Sequence, residues 1–134
     1  MPSNIFVNLP VRNLARSMAF FRALGYDFNP QFTDANAACL VIDERIYAML
    51  LTEPFFAGFI ETPVAQAGTA TEVLIALSVD SADAVRLMVE RALAAGAAPL
   101  KDLVDRGFMV EWGFRDPDGH AWQYLWMDPA HIQG

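Results

Sequence analysis

The chain carries the same apolar pattern twice, and this internal repeat constrains its fold more than any other feature. The segment Ile5–Val11 alternates as a β-strand does, and apolar residues then recur at helical spacing over 14–24 before a glycine. The same order returns over 73–79 and 85–93, again followed by a glycine. Two copies of one strand-and-helix unit are therefore predicted.

Three extended segments are predicted after each helix, so that each half reads strand, helix, strand, strand, strand. The predicted segments are 26–32, 37–42 and 45–52 in the first half and 98–104, 108–114 and 120–127 in the second. The pattern divides one domain, 1–134, into module one (4–52), a linker (53–71), module two (72–127) and a C-terminal tail (128–134).

The linker 53–71 has the prolines, glycine and small residues of a connecting segment, but it is not simply polar. Phe55, Phe56, Phe59 and Ile60 lie close together in it, and their exposure to water would be costly. The segment is therefore predicted to pack as a short helix or a lid, over its own subunit or a neighbouring one.

A tight turn, Asp116-Pro117-Asp118-Gly119, precedes the last predicted strand. Proline presets φ for a turn position and glycine tolerates a positive φ, so this sequence predicts a connection between two strands. In the strand that follows, the tryptophans and Tyr124 alternate with a row of otherwise apolar residues that contains Gln123. An amide on an apolar row calls for a hydrogen-bond partner or a role in binding.

Composition excludes several kinds of partner. The net charge of −7 and the pI near 4.6 disfavour nucleic acid and anionic membrane surfaces, which attract basic proteins. No run approaches the ~20 apolar residues of a membrane span, and the N-terminus has no signal-peptide pattern. The single cysteine, Cys39, is predicted to be a small buried hydrophobe. A cytoplasmic protein with no membrane or nucleic-acid partner is expected.

The repeat and three of its segments resemble the vicinal oxygen chelate superfamily, which includes glyoxalase I, bleomycin-resistance proteins, fosfomycin-resistance enzymes and extradiol dioxygenases. The resemblance rests on 9–25, 76–80 and 116–120, including the Asp-Pro-Asp-Gly-His turn. It implies an α+β fold in which two tandem βαβββ modules form a cupped mixed β-sheet, with helices outside and a cavity inside. One such scaffold serves many reactions, so the resemblance predicts the fold more firmly than the activity.

Enzymes of this superfamily usually bind a divalent metal through His and Glu side chains on the first, fourth, fifth and last strands. By resemblance, those positions fall on Phe6 or Asn8, on Leu50, on Leu74 and on Gln123, none of which is a histidine or a carboxylate. The only histidines, His120 and His131, lie in the last fifteen residues. No metal site and no cofactor are therefore expected, and a divalent metal is disfavoured.

The side chains predicted to face the cavity are mostly apolar, with a few amides and carboxylates, which is typical of a small-molecule pocket. The predicted ligand-binding residues are Phe6, Asn8, Leu50, Glu72, Leu74, Met109, Glu111 and Gln123. Alternatively, Asn8 and Gln123 satisfy each other or backbone groups within the core. The favoured function is metal-free binding of a small apolar or aromatic molecule.

The second predicted function is a diverged glyoxalase-like lyase or isomerase, or a dioxygenase-related enzyme, with Glu72 or Glu111 as catalytic base. His120 is expected to be a turn residue, and His131 a tail residue. The apolar linker and the Trp-rich last strand would leave much apolar surface on a monomer, so a symmetric homodimer is expected.

Overall fold

The computed structural model describes residues 1–131, and residues 132–134 of the predicted tail lie outside the described part. The internal contacts divide the chain into two compact units, Met1–Gln66 and Ala67–Gly134. The division falls inside the segment predicted to be a linker. Each unit has a mixed β-sheet with a helix packed on it, as expected for an α+β fold of two βαβββ modules.

The first unit contains four strands and two helices. Its elements are β1 (Ile5–Val11), α1 (Leu14–Ala23), β2 (Asp27–Asn29), β3 (Ala37–Asp43), β4 (Ile46–Thr52) and α2 (Glu53–Ala57). The strand order is β1-β4-β3-β2, with β1 parallel to β4 and the other neighbours antiparallel. The short helix α2 lies where the apolar part of the linker was predicted to form one, and it contacts β1 and β4.

Helix α1 begins and ends as the sequence predicts. The Asn13 side chain caps its first turn by accepting a hydrogen bond from the backbone N–H of Arg16 at 3.0 Å. Gly25, with φ of 103°, follows the last turn in a conformation that glycine adopts at little cost. The helix buries Ser17, Phe20 and Phe21.

The register of the first sheet assigns its two faces. Leu9 on β1 pairs with Leu50 on β4, and Leu50 pairs with Ala38 on β3, so these side chains share a face. Phe28, which belongs to that face by pairing with Leu40, lies under the Arg22 guanidinium of α1 at 5.2 Å. This is therefore the helix-covered face, and it holds the core of the unit.

The second unit repeats the plan with one strand interrupted. Its elements are β5 (Leu74–Ser78), α3 (Ala82–Ala94), β6 (Ala98–Pro99), β7 (Val104–Asp105), β8 (Met109–Arg115) and β9 (Ala121–Met127). The order is β5-β9-β8-β6, with β5 parallel to β9 and with β7 also pairing to β8. The predicted strand 98–104 is thus two short strands, because Pro99 has no N–H to continue a ladder.

The helix-covered face of the second sheet carries its aromatic core. Phe114 pairs with Trp122, and both side chains are almost completely buried. Arg86 of α3 forms an ion pair with Asp105 of β7 at 3.1 Å, on the same face. The tryptophan row of β9 therefore packs under α3, and the alternate row with Gln123 lies on the opposite face.

The predicted turn between β8 and β9 is built around the buried carboxylate of Asp116. One of its oxygens accepts hydrogen bonds from the backbone N–H groups of Asp118 and His120, both at 3.0 Å. The other accepts the indole N–H of Trp122 at 3.0 Å. Burial raises the pKa of Asp116 above its ordinary value, although the charge of His120 and these hydrogen bonds lower it. The turn thus joins the hairpin to the aromatic core.

Two further expectations concern single features. Cys39 is 1% exposed, as predicted, and burial raises the pKa of its thiol, which disfavours the reactive thiolate. The predicted strand 26–32 ends at Asn29, because Pro30 starts a short 3-10 turn whose N-terminus the Asn29 side chain caps. Among the described residues, no helix has the length and apolar character needed to cross a membrane.

Candidate functional site

The face of the second sheet opposite α3, here called the open face, carries half of the predicted ligand-binding residues. Strand alternation and register place on it Leu74, Ala76 and Ser78 of β5, Met109, Glu111, Gly113 and Arg115 of β8, and Ala121, Gln123, Leu125 and Met127 of β9. Glu111 and Gln123 are the only carboxylate and the only amide in this set. The register thus places Leu74, Met109, Glu111 and Gln123 on one face, as the alternation predicted, and their role in binding stays a prediction.

Three polar side chains of the second unit converge at the open face and form what is here called the polar cluster. Gln123 donates a hydrogen bond from Nε2 to Oε2 of Glu111 at 3.4 Å. A guanidinium nitrogen of Arg106 lies 3.8 Å from Oε1 of the same carboxylate. The Glu111 side chain is 25% exposed and that of Arg106 is 55% exposed. Such partly exposed pairs contribute little stability, about 0–1 kcal/mol, so the cluster serves mainly to orient its groups.

Apolar side chains surround the polar cluster. Met109 and Leu125 are half-buried, and Leu74 on the edge strand β5 is 47% exposed. Arg115, at the end of the same row as Glu111, donates to the carbonyl of Gly119 and to the hydroxyl of Thr71. Its guanidinium is therefore engaged in holding the turn.

Glu72, the other candidate base, is placed differently from Glu111. It lies in an exposed bend before β5, which begins only at Leu74. The alternation of the strand therefore does not extend to Glu72, and parity with Leu74 does not assign it to the open face. Of the two candidate carboxylates, only Glu111 belongs to the polar cluster.

The first unit presents a smaller aromatic surface on the face opposite α1. Phe6 stacks on Tyr47, with ring centroids 4.7 Å apart and an angle of 10° between the planes. The Tyr47 hydroxyl donates to the carbonyl of Glu44 at 2.7 Å, which holds the ring in place. Asn8 lies on the same face and donates from Nδ2 to the Phe6 carbonyl at 3.1 Å. Asn8 thus bonds to backbone and Gln123 to a carboxylate.

The prediction that Leu50 shares a face with Phe6 and Asn8 was wrong. Leu50 pairs with Leu9 and is completely buried on the helix-covered face, whereas Phe6 pairs with Tyr47 and Asn8 with Met49. Residues 46–51 are apolar or aromatic at every position, so the sequence of β4 has no alternation that marks its faces. Tyr47 was missed for this reason, and Arg106 was missed because it lies in the turn between β7 and β8.

The side chains at the expected metal positions do not fit a catalytic divalent ion. By resemblance these positions fall on Phe6 or Asn8 and on Leu50 in the first unit, and on Leu74 and Gln123 in the second, while the register puts Met49 rather than Leu50 beside Asn8. None of these side chains is an imidazole or a carboxylate. In the described part of the chain, no group of three or more His, Cys, Asp or Glu residues is arranged to hold a metal ion.

Neither histidine is placed as a ligand at those positions. His120 lies in the turn beside Asp116, as expected. His131, predicted to be a tail residue, stacks on Phe108 with ring centroids 4.2 Å apart. His120 therefore has a structural role in the turn, and the stacking of His131 holds the end of the described chain against the start of β8.

Comparisons with known proteins agree with this fold. Residues 4–43 match the family described as bleomycin resistance protein-like N-terminal. No curated protein matches the chain. Among solved structures, hypothetical protein SA1046 from S. aureus is 26% identical, with a TM-score of 0.78, and the match covers 93% of this chain and 94% of that one.

Two further similar structures have named families. A glyoxalase/bleomycin resistance protein/dioxygenase family enzyme from Burkholderia phytofirmans is 19% identical, with a TM-score of 0.75 and coverage of 91% and 96%. The fosfomycin resistance protein FosX from Mesorhizobium loti is 15% identical, with a TM-score of 0.69 and coverage of 97% and 96%. At these identities the likeness concerns the fold. The repeated βαβββ architecture is thus the fold of glyoxalase/bleomycin resistance/dioxygenase structures, the fold of the vicinal oxygen chelate superfamily, and residues 4–43 also match a bleomycin resistance-like family in sequence.

Proposed function

We propose that the protein binds a small apolar or aromatic molecule on the open face of the second unit, without a catalytic metal. The observation that supports this most is one oriented polar pair, Gln123 and Glu111, set among apolar side chains. Small-molecule sites combine a mainly apolar lining with a few fixed polar groups. The apolar part provides affinity, and the polar part selects the ligand.

The apolar lining can provide useful binding energy. Leu74, Met109 and Leu125 are all at least partly exposed on this face. Removing about 100 Å² of apolar surface from water contributes about 2.5 kcal/mol, and a ligand of aromatic-ring size covers an area of that order. By itself this contribution corresponds to a dissociation constant of about 15 mM, and hydrogen bonds to the polar pair should bring a single-ring compound into the millimolar range.

Independence from metal is part of the proposal because of the side-chain chemistry at the expected positions. Amides are weak ligands for a hard divalent ion, and leucine is not a ligand. Gln123 is also already bonded to Glu111. The chemistry proposed for this chain therefore rests on its own hydrogen-bonding groups.

The binding proposal is tested by a matched pair of leucine substitutions. Leu74 on the open face and Leu87 on α3 are each 47% exposed, so replacing either by aspartate should have a similar small effect on folding. We expect Leu74→Asp to weaken binding of aromatic fragments at least tenfold, because it puts a hydrated charge on the apolar lining. Leu87→Asp should bind like the parent protein.

The measurement is a thermal-shift screen of an aromatic fragment library, followed by titration calorimetry of the hits. A ligand that binds only the folded state raises the free energy of unfolding of the protein by RT ln(1 + [L]/Kd). Equal losses of affinity in both variants, or no fragment that stabilises the parent protein at millimolar concentration, would contradict the proposal.

An enzymatic function is the alternative, and among the candidate bases the geometry favours Glu111. Its carboxylate is oriented by Gln123 and Arg106 and remains 25% exposed, whereas Glu72 is in an exposed bend. A glyoxalase-like lyase or isomerase would use Glu111 to remove a proton from the bound substrate. The Glu111→Gln variant of such an enzyme would still bind its substrate but would lose turnover.

A symmetric homodimer is also proposed. Apolar side chains are exposed at Ile5 and Phe6 on the edge strand β1, and Phe59 after α2 is 70% exposed. Surface of this kind is commonly covered by a second subunit. We expect sedimentation equilibrium to give twice the 14.8 kDa chain mass, and a mass near one chain at micromolar concentration would refute the dimer.

Other partners and the location follow from charge. The net charge of −7 disfavours binding to nucleic acid or to an anionic membrane surface. A small molecule is therefore the partner that we propose. The cytoplasmic location stays a prediction from the sequence.

A further inference from the structure

The hydrogen bond between Gln123 and Glu111 determines which way the Gln123 amide points. A carboxylate only accepts hydrogen bonds, so the amide nitrogen and not its oxygen must face Glu111. Of the two N–H bonds of Nε2, one lies on the same edge of the planar group as Oε1 and the other points away from it. With the N–H that points away from Oε1 donated to Glu111, the other N–H and Oε1 lie side by side for a further partner.

The charge of the polar cluster is compensated before any ligand arrives. Glu111 has Gln123 at one oxygen and Arg106 at the other, at 3.4 and 3.8 Å. One negative and one positive side chain give the cluster no formal net charge. A ligand at Gln123 thus meets a neutral amide with an apolar surround, including Leu125 and Leu74.

We propose that the ligand is a neutral apolar molecule with an adjacent N–H donor and carbonyl acceptor, as in a primary carboxamide or a lactam. Gln123 would bind this edge through two parallel hydrogen bonds, with its Oε1 accepting and its Nε2 donating. This inference rests on the proposed binding function and adds the chemical class of the ligand. Glu111 is its positioning residue, and Arg106 compensates the charge of Glu111.

Other ligand classes fit the cluster less well. A ketone can accept from Nε2 but leaves Oε1 without a donor, and an unsatisfied acceptor in a covered site is costly. An ammonium group meets a carboxylate whose two oxygens already have Gln123 and Arg106 as neighbours. A site built to pair a donor discriminates strongly against analogues that lack it.

The test compares benzamide, acetophenone and benzylammonium, three probes of similar size with different polar ends. Ligand-titration NMR on the full chain measures the three dissociation constants. We expect benzamide to bind about tenfold more tightly than acetophenone, which corresponds to about 1.4 kcal/mol, and also more tightly than benzylammonium. Equal binding of benzamide and acetophenone would overturn the inference.

Two variants separate the roles of the amide and of its positioning residue. Gln123→Leu keeps the face apolar, so it should bind benzamide and acetophenone equally, within twofold, while still binding both. In Glu111→Gln the new amide can donate or accept a hydrogen bond. The Gln123 amide is then no longer held in one orientation and can rotate by 180°, so the preference for benzamide should fall to about threefold. Glu90→Gln, at an exposed position on α3, is the control and should keep the tenfold preference.

The outcomes distinguish this inference from the proposed function. If all three probes bind with equal affinity and Leu74→Asp weakens binding of the two neutral probes, the apolar site exists but Gln123 does not select an amide. If benzylammonium binds best and Glu111→Gln removes that preference, the ligand class is cationic and the inference is wrong. If none of the probes binds at 10 mM, on the order of the weakest affinity expected for single-ring fragments, both proposals fail.

Discussion

Replacing Asp116 by alanine should lower the free energy of unfolding by about 3 kcal/mol or more, a large part of the stability of a domain of this size. Asp116 is 5% exposed, and its carboxylate accepts from two backbone N–H groups and from the Trp122 indole. Alanine would leave these three donors without their acceptor, and each buried unsatisfied donor costs about 1–3 kcal/mol. The raised pKa of Asp116 shows that desolvation of the charged carboxylate costs stability that alanine would regain, so the loss should lie toward the lower end of the sum for three donors.

The matched control for this variant is Asp34→Ala. Asp34 also accepts from two backbone N–H groups, those of Asn36 and Ala37, but it is exposed, so water can replace the lost acceptor. We expect a loss of about 1 kcal/mol or less for the control, by urea unfolding at neutral pH. Similar losses for Asp116→Ala and Asp34→Ala would show that the turn does not depend on the buried carboxylate.

The second large effect is expected from Gly113→Ala in strand β8. A Cβ at this position would overlap the carbonyl oxygen of Trp122 and lie 3.3 Å from the Cα of Gln123. Because both are backbone atoms of β9, the strand itself must shift to make room. We expect a loss of about 3 kcal/mol in stability, together with weaker ligand binding, because the shift displaces Gln123.

Gly58→Ala is the control for the glycine substitution. Gly58 follows α2 with φ of −68°, a conformation that alanine adopts without strain. The methyl group of an alanine there would have the Phe55 carbonyl oxygen as its nearest neighbour, at 3.3 Å. The free energy of unfolding should change by less than about 0.5 kcal/mol. An unchanged unfolding midpoint for Gly113→Ala would mean that β8 and β9 are less tightly joined than the structure indicates.

The fold was predictable because several independent signals agreed. The repeated strand-and-helix pattern and the glycine after each helix indicate the same elements, and the structure has them, with Asn13 and Ser81 as the N-caps of α1 and α3. The two predicted strands that shortened contain Pro30 and Pro99 at or near the break. The prolines thus mark where these two strands end or break, which the run of extended residues alone did not predict.

The candidate site was predictable only where a strand has chemically different faces. In β9 the tryptophans alternate with Gln123, and in β8 Glu111 interrupts an apolar row, so alternation assigned both residues to one face. In β4 both faces are apolar, and the sequence placed Leu50 on the wrong one. The register of β4 is set by its pairing with β1 and β3, and the sequence of β4 alone carries no information about that pairing.

Arg106 could not be assigned from alternation either. It lies between β7 and β8, where the backbone of Gly107 has φ of 82° and donates to the Asp105 side chain at 2.8 Å. The turn brings the Arg106 guanidinium back to Glu111, five residues further along the chain. A contact set by turn geometry of this kind has no sequence period that reveals it.

Binding of an aromatic fragment to metal-depleted protein tests the proposed metal-independent function most directly. Titration calorimetry would compare protein treated with EDTA and desalted with the same protein supplied with Mg²⁺, Mn²⁺ or Zn²⁺. Because Gln123, Glu111 and the apolar side chains of the open face are sufficient for binding in this proposal, we expect the same dissociation constant in every sample, within twofold. Loss of binding after chelation, with recovery when a divalent ion is restored, would contradict it.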